Sequence, residues 1–230
     1  MNINYKSYNL PFKHAFTISK GTKSHQPTLI VELEHFGIKG YGEAPAIAYY
    51  NITAEKMVED IEAKKSFIEK FSFTDPERYW HYLHHLFPQN PFLVCALDMA
   101  GWDLFGKMKR KKLYELWGLE IEKKPLTDFT IGIDTIAKMV TKMAEKPWPI
   151  YKIKLGTGYD IEIITELRKH TSSIFRIDAN ASWKAEEALE KINAFKDLGV
   201  ELIEDLFDII ISEIRKNDEL VSWEEAKKEL

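Results

Sequence analysis

The chain of 230 residues is expected to combine two structural styles: an α+β module over residues 1–124, then a parallel α/β region amounting to about half a barrel over residues 125–204, with a divergent tail at 205–230. Three observations lead to this expectation. The opening stretch reads as strands and the stretch after it as helices. After Pro125, short apolar strands and helical segments alternate in strict order, the pattern of a parallel sheet. Finally, Lys154, Asp178 and Glu204 recur at predicted strand ends, 24 and 26 residues apart, about the length of one strand-helix unit.

In the first module, Thr28-Leu29-Ile30-Val31-Glu32-Leu33 is β-branched and partly alternating, Gly37 supplies a turn, and Ile38 to Glu43 returns as a second strand. Ser19 to Pro27 is polar, without an apolar anchor, and is expected to be a loop, either mobile surface or a flap. Thr53 is the expected N-cap of a first helix, with Met57, Ile61 and Ile68 at helical spacing. Asp75-Pro76 opens a second helix and Pro91 a third. The third, through Leu93, Val94, Leu97 and Trp102, is apolar on nearly every side and is expected to be central and buried. Its Asp98 and Asp103 are expected to bond to backbone or neighbouring side chains. Gly118 closes a short final helix, and Glu120 to Lys124 form a charged connector.

Beyond Pro125 the expected strands are Phe129–Ile133, Ile150–Lys154, Ile174–Asp178 and Val200–Glu204. The helices between them are Thr135–Glu145, Ile161–His170 and a segment from about Trp183 to Leu198. Eight such units take ~200–250 residues, whereas 105 residues follow Pro125. The tail does not resume the alternation: Asp208–Ile214 fits strand or helix, and Ser222-Trp223-Glu224-Glu225 reads as a capping box.

Composition narrows the function. A hydrophobic share of 45% and an aromatic share of 13% are ordinary for a folded soluble protein. The net charge of −4, without a basic tail, argues against a nucleic-acid partner. No apolar run approaches the ~20 residues that span a bilayer, and Met1-Asn2-Ile3-Asn4-Tyr5 lacks a secretory pattern. The expectation is a cytoplasmic protein with neither nucleic-acid nor membrane partners. The single Cys95 excludes an intramolecular disulfide and is expected to pack in the core.

The chemistry concentrates at strand ends, where parallel barrels collect catalytic groups. Lys152 and Lys154 are two apart on one strand and share a face. An isolated pair of this kind is commonly a solvated face, but Ile150, Ile153 and Leu155 mark the strand as buried. Mutual repulsion and desolvation are expected to lower the lysine pKa towards the range of a general base. Asp178 and Asn180 repeat the spacing at the next strand end, with helix capping as their alternative role. Glu204 ends an apolar strand, with a lysine salt bridge as its alternative. Carboxylates on adjacent strands, without Cys or His, favour a hard cation such as Mg²⁺. His81 and His85 lack the rest of a zinc motif and read as helix surface, and Gly156-Thr157-Gly158 reads as a loop.

The chain resembles the enolase superfamily in its muconate-cycloisomerase-like branch. The resemblance rests on Gly40-Tyr41-Gly42-Glu43-Ala44-Pro45, on Ala96-Leu97-Asp98-Met99-Ala100-Gly101-Trp102-Asp103-Leu104, on Lys152-Ile153-Lys154, on Asp178-Ala179-Asn180 and on Glu204. It covers residues 1 to about 204. Thr127-Asp128-Phe129-Thr130-Ile131-Gly132 makes the chain most like dipeptide (Ala-Glu) epimerases within that branch. The resemblance implies a capping domain, a (β/α) barrel and Mg²⁺ held by three carboxylates. Lys154 is then the base that removes a proton α to a carboxylate, and Lys152 assists it. Asp178 and Glu204 become metal ligands, Thr130 lies near a dipeptide substrate, and Ser19–Pro27 helps close the site. The chain departs from the family where Asp205-Leu206 replaces a Gln-Pro pair. The third carboxylate ligand, the lysine of the opposite face and a late Asp-x-Asp have no counterpart. These departures lead to the expectation of an incomplete barrel that is inactive or impaired alone and could form a homo-oligomer through unpaired strand edges. The alternatives are an o-succinylbenzoate synthase or muconate-type cycloisomerase and, in a different class, a non-catalytic fragment that self-associates.

Overall fold

A computed structural model describes residues 1–204. Two compact units emerge among the described residues: Met1–His14 with Ser24–Pro125, and Ala15–Lys23 with residues 126–204. The expected capping box at Ser222 and the ambiguous segment Asp208–Ile214 lie outside the described residues.

The antiparallel sheet comprises β1 (Asn2–Ile18), β2 (Gly21–His35) and β3 (Ile38–Pro45), in that spatial order. The β2–β3 turn has positive φ at both Phe36 and Gly37, 51° and 75°, the turn whose twist matches that of paired strands. The polar stretch Ser19–Pro27 is not a loop. Only Ser19 and Lys20 turn, and β2 starts at Gly21, because strand pairing satisfies the backbone without an apolar anchor.

Pairing of β2 with β3 sets Leu29 opposite Ala44, Val31 opposite Gly42 and Leu33 opposite Gly40. Large side chains on one strand thus face small residues on the other, and the small row makes room for a helix. That helix is α3 (Pro91–Lys109), which follows α1 (Ala54–Lys70) and α2 (Pro76–Leu86). A Cβ on Gly42 would lie 1.9 Å from the Ala96 carbonyl oxygen, and one on Gly40 would lie 2.2 Å from that of Ala100. The glycines therefore admit the helix backbone itself, through a row of residues four apart. All three helices are capped by side chains that accept from the first turn: Thr53 from the Lys56 N–H, Asp75 from that of Arg78, and Asn90 from that of Leu93. The short α4 (Leu113–Leu116) precedes Gly118, which adopts φ 66°. His81 and His85 are exposed on α2.

Two expectations for α3 need correction. Its buried residues form one side (Leu93, Val94, Ala96, Leu97, Ala100, Gly101 and Leu104), while Met99 is 47% exposed and Cys95 is exposed too. The apolar run is therefore not an all-round core, because one face meets the glycine row and the opposite side does not. Asp103 accepts from the Tyr41 N–H at 2.9 Å and from Lys107 at 2.6 Å, as expected of a partnered acid. Asp98 differs: its buried Oδ1 has no hydrogen-bond partner among the described residues, and burial raises its pKa.

The second unit contains β4 (Phe129–Ile131), α5 (Ile136–Glu145), β5 (Ile150–Lys154), α6 (Asp160–Arg168), β6 (Ile174–Asp178), α7 (Ala185–Phe195) and β7 (Val200–Ile203). The four strands are parallel, in the order β4-β5-β6-β7. One face is wholly apolar: Ile131, Tyr151, Ile153, Phe175 and Ile177 bury against Met139, Met143, Ile164 and Leu167 of the crossover helices. Alternation sends Thr130, Lys152, Lys154, Arg176 and Asp178 to the other face. The segment Ala15–Lys23 clusters with this unit, where the Ile133 N–H donates to the Thr17 carbonyl at 2.9 Å.

The glycine row yields a stability prediction. Gly42→Ala forces the strand and helix backbones apart and is expected to cost about 3 kcal/mol. Urea unfolding should show a lowered midpoint with an unchanged slope. A midpoint equal to that of the parent chain would mean that the contact is not tight.

Candidate active site

Register between β5 and β6 places Lys152 opposite Arg176 and Lys154 opposite Asp178. The β5–β6 ladder is continuous, whereas the β6–β7 ladder shifts register between Phe175 and Arg176. The Leu155 N–H carries the β5–β6 pairing one step further, onto the Asp178 carbonyl at 3.0 Å. On the other side of β6, the Glu204 N–H donates to the Ile177 carbonyl at 2.9 Å, which extends the β7 ladder past Ile203. Three successive parallel strands therefore deliver Lys154, Asp178 and Glu204 to one end of the sheet.

Their side chains meet. Lys154 Nζ donates to Asp178 Oδ2 and, at 3.3 Å, to Asn180 Oδ1. Lys152 Nζ pairs with Asp178 Oδ2 at 3.0 Å and with the Glu204 carboxylate. Lys154 and Asp178 are buried, whereas the Glu204 side chain is 51% exposed. Thr130 pairs with Lys152 in register and shares its face, one step below Lys154. Asn180 and Ala181 adopt the left-handed conformation with φ 51° and 54°, and the Asn180 N–H donates to Asp178 Oδ1 at 2.8 Å. Helix capping does not explain Asp178 or Asn180, since the residue before α7 is Lys184 and it makes no side-chain cap bond.

The electrostatics run opposite to the sequence expectation at Lys152. Burial pushes its pKa down, but hydrogen bonds to Glu204 and Asp178 outweigh burial and raise it above 10.5. Each ammonium meets a carboxylate before it meets the other ammonium, so attraction replaces the expected repulsion. Burial also pushes the Asp178 carboxyl up. Hydrogen bonds with Glu204, Lys154, Lys152 and the Asn180 N–H overcome this and hold it well below the ordinary 3.8.

The donor set of Asp178, Glu204 and the Asn180 amide oxygen consists of hard oxygens alone. It fits a cation such as Mg²⁺, which takes one or two carboxylates and fills its other positions with water or substrate oxygens. Among the described residues, no three His, Cys, Asp or Glu side chains group to hold a metal.

Sequence reading missed Arg176. Its Nε donates to Glu201 at 2.9 Å and its Nη1 to Asp128 at 3.4 Å. These contacts form a second ionic layer one step below Asp178. The signal was present: in Phe175-Arg176-Ile177-Asp178, an alternating strand has to send Arg176 to the face of Asp178.

Residues 5–118 match the family model described as mandelate racemase/muconate lactonizing enzyme, N-terminal domain. An L-Ala-D/L-amino acid epimerase of Flavobacterium johnsoniae is 50% identical over 204 residues, a match that covers 89% of this chain and 61% of that protein. The substrate-liganded L-Ala-D/L-Glu epimerase of Bacillus subtilis superposes with a TM-score of 0.80 at 25% identity, covering 90% of this chain and 61% of that one. A dipeptide epimerase of Enterococcus faecalis, complexed with Mg and L-Leu-L-Tyr, gives a TM-score of 0.76 at 29% identity, covering 88% and 59%. The chain spans about 60% of the length of these relatives. The capping sheet with its helices, the parallel strands and these likenesses agree: residues 5–118 carry the mandelate racemase/muconate lactonizing enzyme N-terminal domain, and the chain as a whole resembles the dipeptide epimerases of the enolase superfamily.

Proposed function

We propose that this chain serves Mg²⁺-dependent epimerisation of a dipeptide, with Lys154 as the base that removes the proton from the α-carbon next to the substrate carboxylate. The observation that carries this reading is the convergence of Lys152, Lys154, Asp178 and Glu204 at one end of the parallel strands. The 50% identity to an L-Ala-D/L-amino acid epimerase supports a dipeptide that begins with alanine.

In this reading Asp178 and Glu204 hold Mg²⁺, which when bound supplies positive charge to the substrate carboxylate as the α-proton leaves. Lys154 lies on a strand whose far face is locked into the core, so its reach towards the α-carbon is fixed before substrate arrives. Lys152 holds a second ammonium on the same face, where it offsets negative charge that builds on the substrate. Asn180, fixed by its left-handed backbone, aims an amide oxygen at Lys154 and steadies the ammonium that forms after proton transfer. Thr130 contributes a hydroxyl to the same face, beside the substrate backbone.

Proton exchange tests the assignment. One lysine face suffices for exchange even where epimerisation is impaired, so with Mg²⁺ and L-Ala-L-Glu in D₂O the chain is expected to replace the α-proton of the second residue with deuterium, followed by ¹H NMR. Lys154→Gln is expected to slow exchange by about 100-fold or more, the scale of a lost general base. Absence of exchange in the parent chain, or equal exchange in K154Q, refutes the proposal.

The ion network also predicts a pH signature in metal-free buffer. Because the folded Asp178 value lies below 3.8, its contribution to stability is complete above that value and is lost as pH falls through the folded one. The raised Lys152 value acts at the other end: its contribution is complete below 10.5 and is lost as pH rises through the folded value. Urea midpoints of the parent chain are therefore expected to fall below pH 3.8 more steeply than those of Asp178→Asn. Parallel acid slopes in the two proteins would remove Asp178 from the network.

A further inference from the structure

Asp160, the first residue of α6, is a heavily bonded carboxylate of the second unit. Its side chain is fully buried, with 0% exposed. It accepts from the Gly156 N–H at 3.1 Å, from the Thr157 N–H at 2.8 Å and from the Thr157 hydroxyl at 2.7 Å. It also accepts from Trp183 Nε1 at 2.7 Å and from Lys191 Nζ at 2.8 Å. The first three donors belong to the loop that leaves β5. The last two belong to the segment that leaves β6 and to α7, 23 and 31 residues away.

Helix capping alone does not account for this arrangement. An aspartate in the first turn needs only local N–H donors, and it finds them while remaining solvated. Burying a carboxylate is costly unless it is paired and fully hydrogen-bonded, and here the completing donors come from the next strand-helix unit. The two loops interlock around it. Gly156, at φ +110°, leaves room for only 2.3 Å between a would-be Cβ and Ser182 Oγ, and Ser182 Oγ donates to the Ala179 carbonyl at 2.7 Å. Lys154 lies two residues before Gly156 and Asn180 lies three before Trp183, so the joined segments are the ones that hold the Lys154–Asn180 contact.

We propose that Asp160 is a positioning residue: by tying the end of β5 to the β6–α7 connection through Trp183 and to α7 itself through Lys191, it fixes Lys154 against Asp178 and Asn180. Its consequence for chemistry rests on the function proposed above, while its consequence for geometry does not. Trp183 is the most informative partner, because Trp183→Phe removes one donor and keeps the aromatic packing.

The test uses the full chain labelled with ¹³C at the lysine ε-carbons, with the Lys154 signal identified by its loss in Lys154→Arg. Asp160→Ala and W183F are each expected to shift the Lys154 signal. Both are also expected to weaken Mn²⁺ binding about tenfold, the usual effect of removing a group that orients metal ligands. Variants that unfold earlier in urea yet keep the Lys154 signal and the Mn²⁺ affinity of the parent overturn the proposal, since a purely structural anchor moves stability alone. If circular dichroism shows D160A to be unfolded, W183F decides by the same two readings. A parent chain that binds no Mn²⁺ refutes the metal-dependent function, and the Lys154 signal then decides the positioning role by itself.

Discussion

Asp178 holds two ammonium groups on a single carboxylate, and the rest of the candidate site follows from that contact. It exists because β5 and β6 are parallel and in register, so that Lys154 faces Asp178 while Lys152, two residues back, reaches the same oxygen from below. A slip of one residue would turn both lysines into the apolar face and bring Ile153 out. Register is therefore the constraint that chemistry imposes on this sheet. The apolar face enforces it: Tyr151, Ile153, Phe175 and Ile177 have no other place to go.

The same period of two separates stability from function. One face of the parallel sheet carries only apolar side chains against helices, and the other carries Thr130, Lys152, Lys154, Arg176 and Asp178. Charges so placed would be expensive if unpaired. Here they form two layers: Asp128, Arg176 and Glu201 below, and Lys152, Lys154, Asp178 and Glu204 above. Removing one partner from a buried pair such as Lys154–Asp178 costs about 3–5 kcal/mol, so the upper layer is held in place by its pairing. The capping unit solves a different problem with different means. There the glycine row of β3 brings a helix backbone into contact with strand backbone, and no charge is buried at the contact.

Much of this was legible from residues alone, because the governing signals are local or periodic. Asp75-Pro76 and Pro91 announced their helices through a proline in the first turn. The strands Ile150–Lys154 and Ile174–Asp178 fall where the sequence pattern set them. What escaped reading depends on partners distant in the chain. Ser19–Pro27 looked unanchored because its anchor is strand pairing, which composition does not record. Cys95 and Met99 looked like core because an apolar run carries no mark of which side meets the sheet. Lys152 was expected to be destabilised as an ammonium because the second lysine is adjacent in sequence, whereas the carboxylates that reverse the sign lie 26 and 52 residues away.

Asp160 and Arg168 show how far such long-range ties reach. Arg168, at the end of α6, donates to the carbonyls of Thr171, Ser173 and Leu198, and its guanidinium stacks 3.8 Å from the Phe175 ring. It stitches the lower loops of two successive units, as Asp160 stitches the upper ones. A parallel strand pair is joined in sequence only through a helix, so nothing local fixes the height of one strand against the next. Ladder hydrogen bonds fix register in steps of two residues, and side-chain ties at both ends of α6 remove the remaining freedom. A reacting pair needs its separation held to a fraction of an ångström, and the ends of strands are where a sheet is least constrained. Buried ties placed just beyond those ends are therefore the elements through which a distant substitution can reach the lysine without touching it.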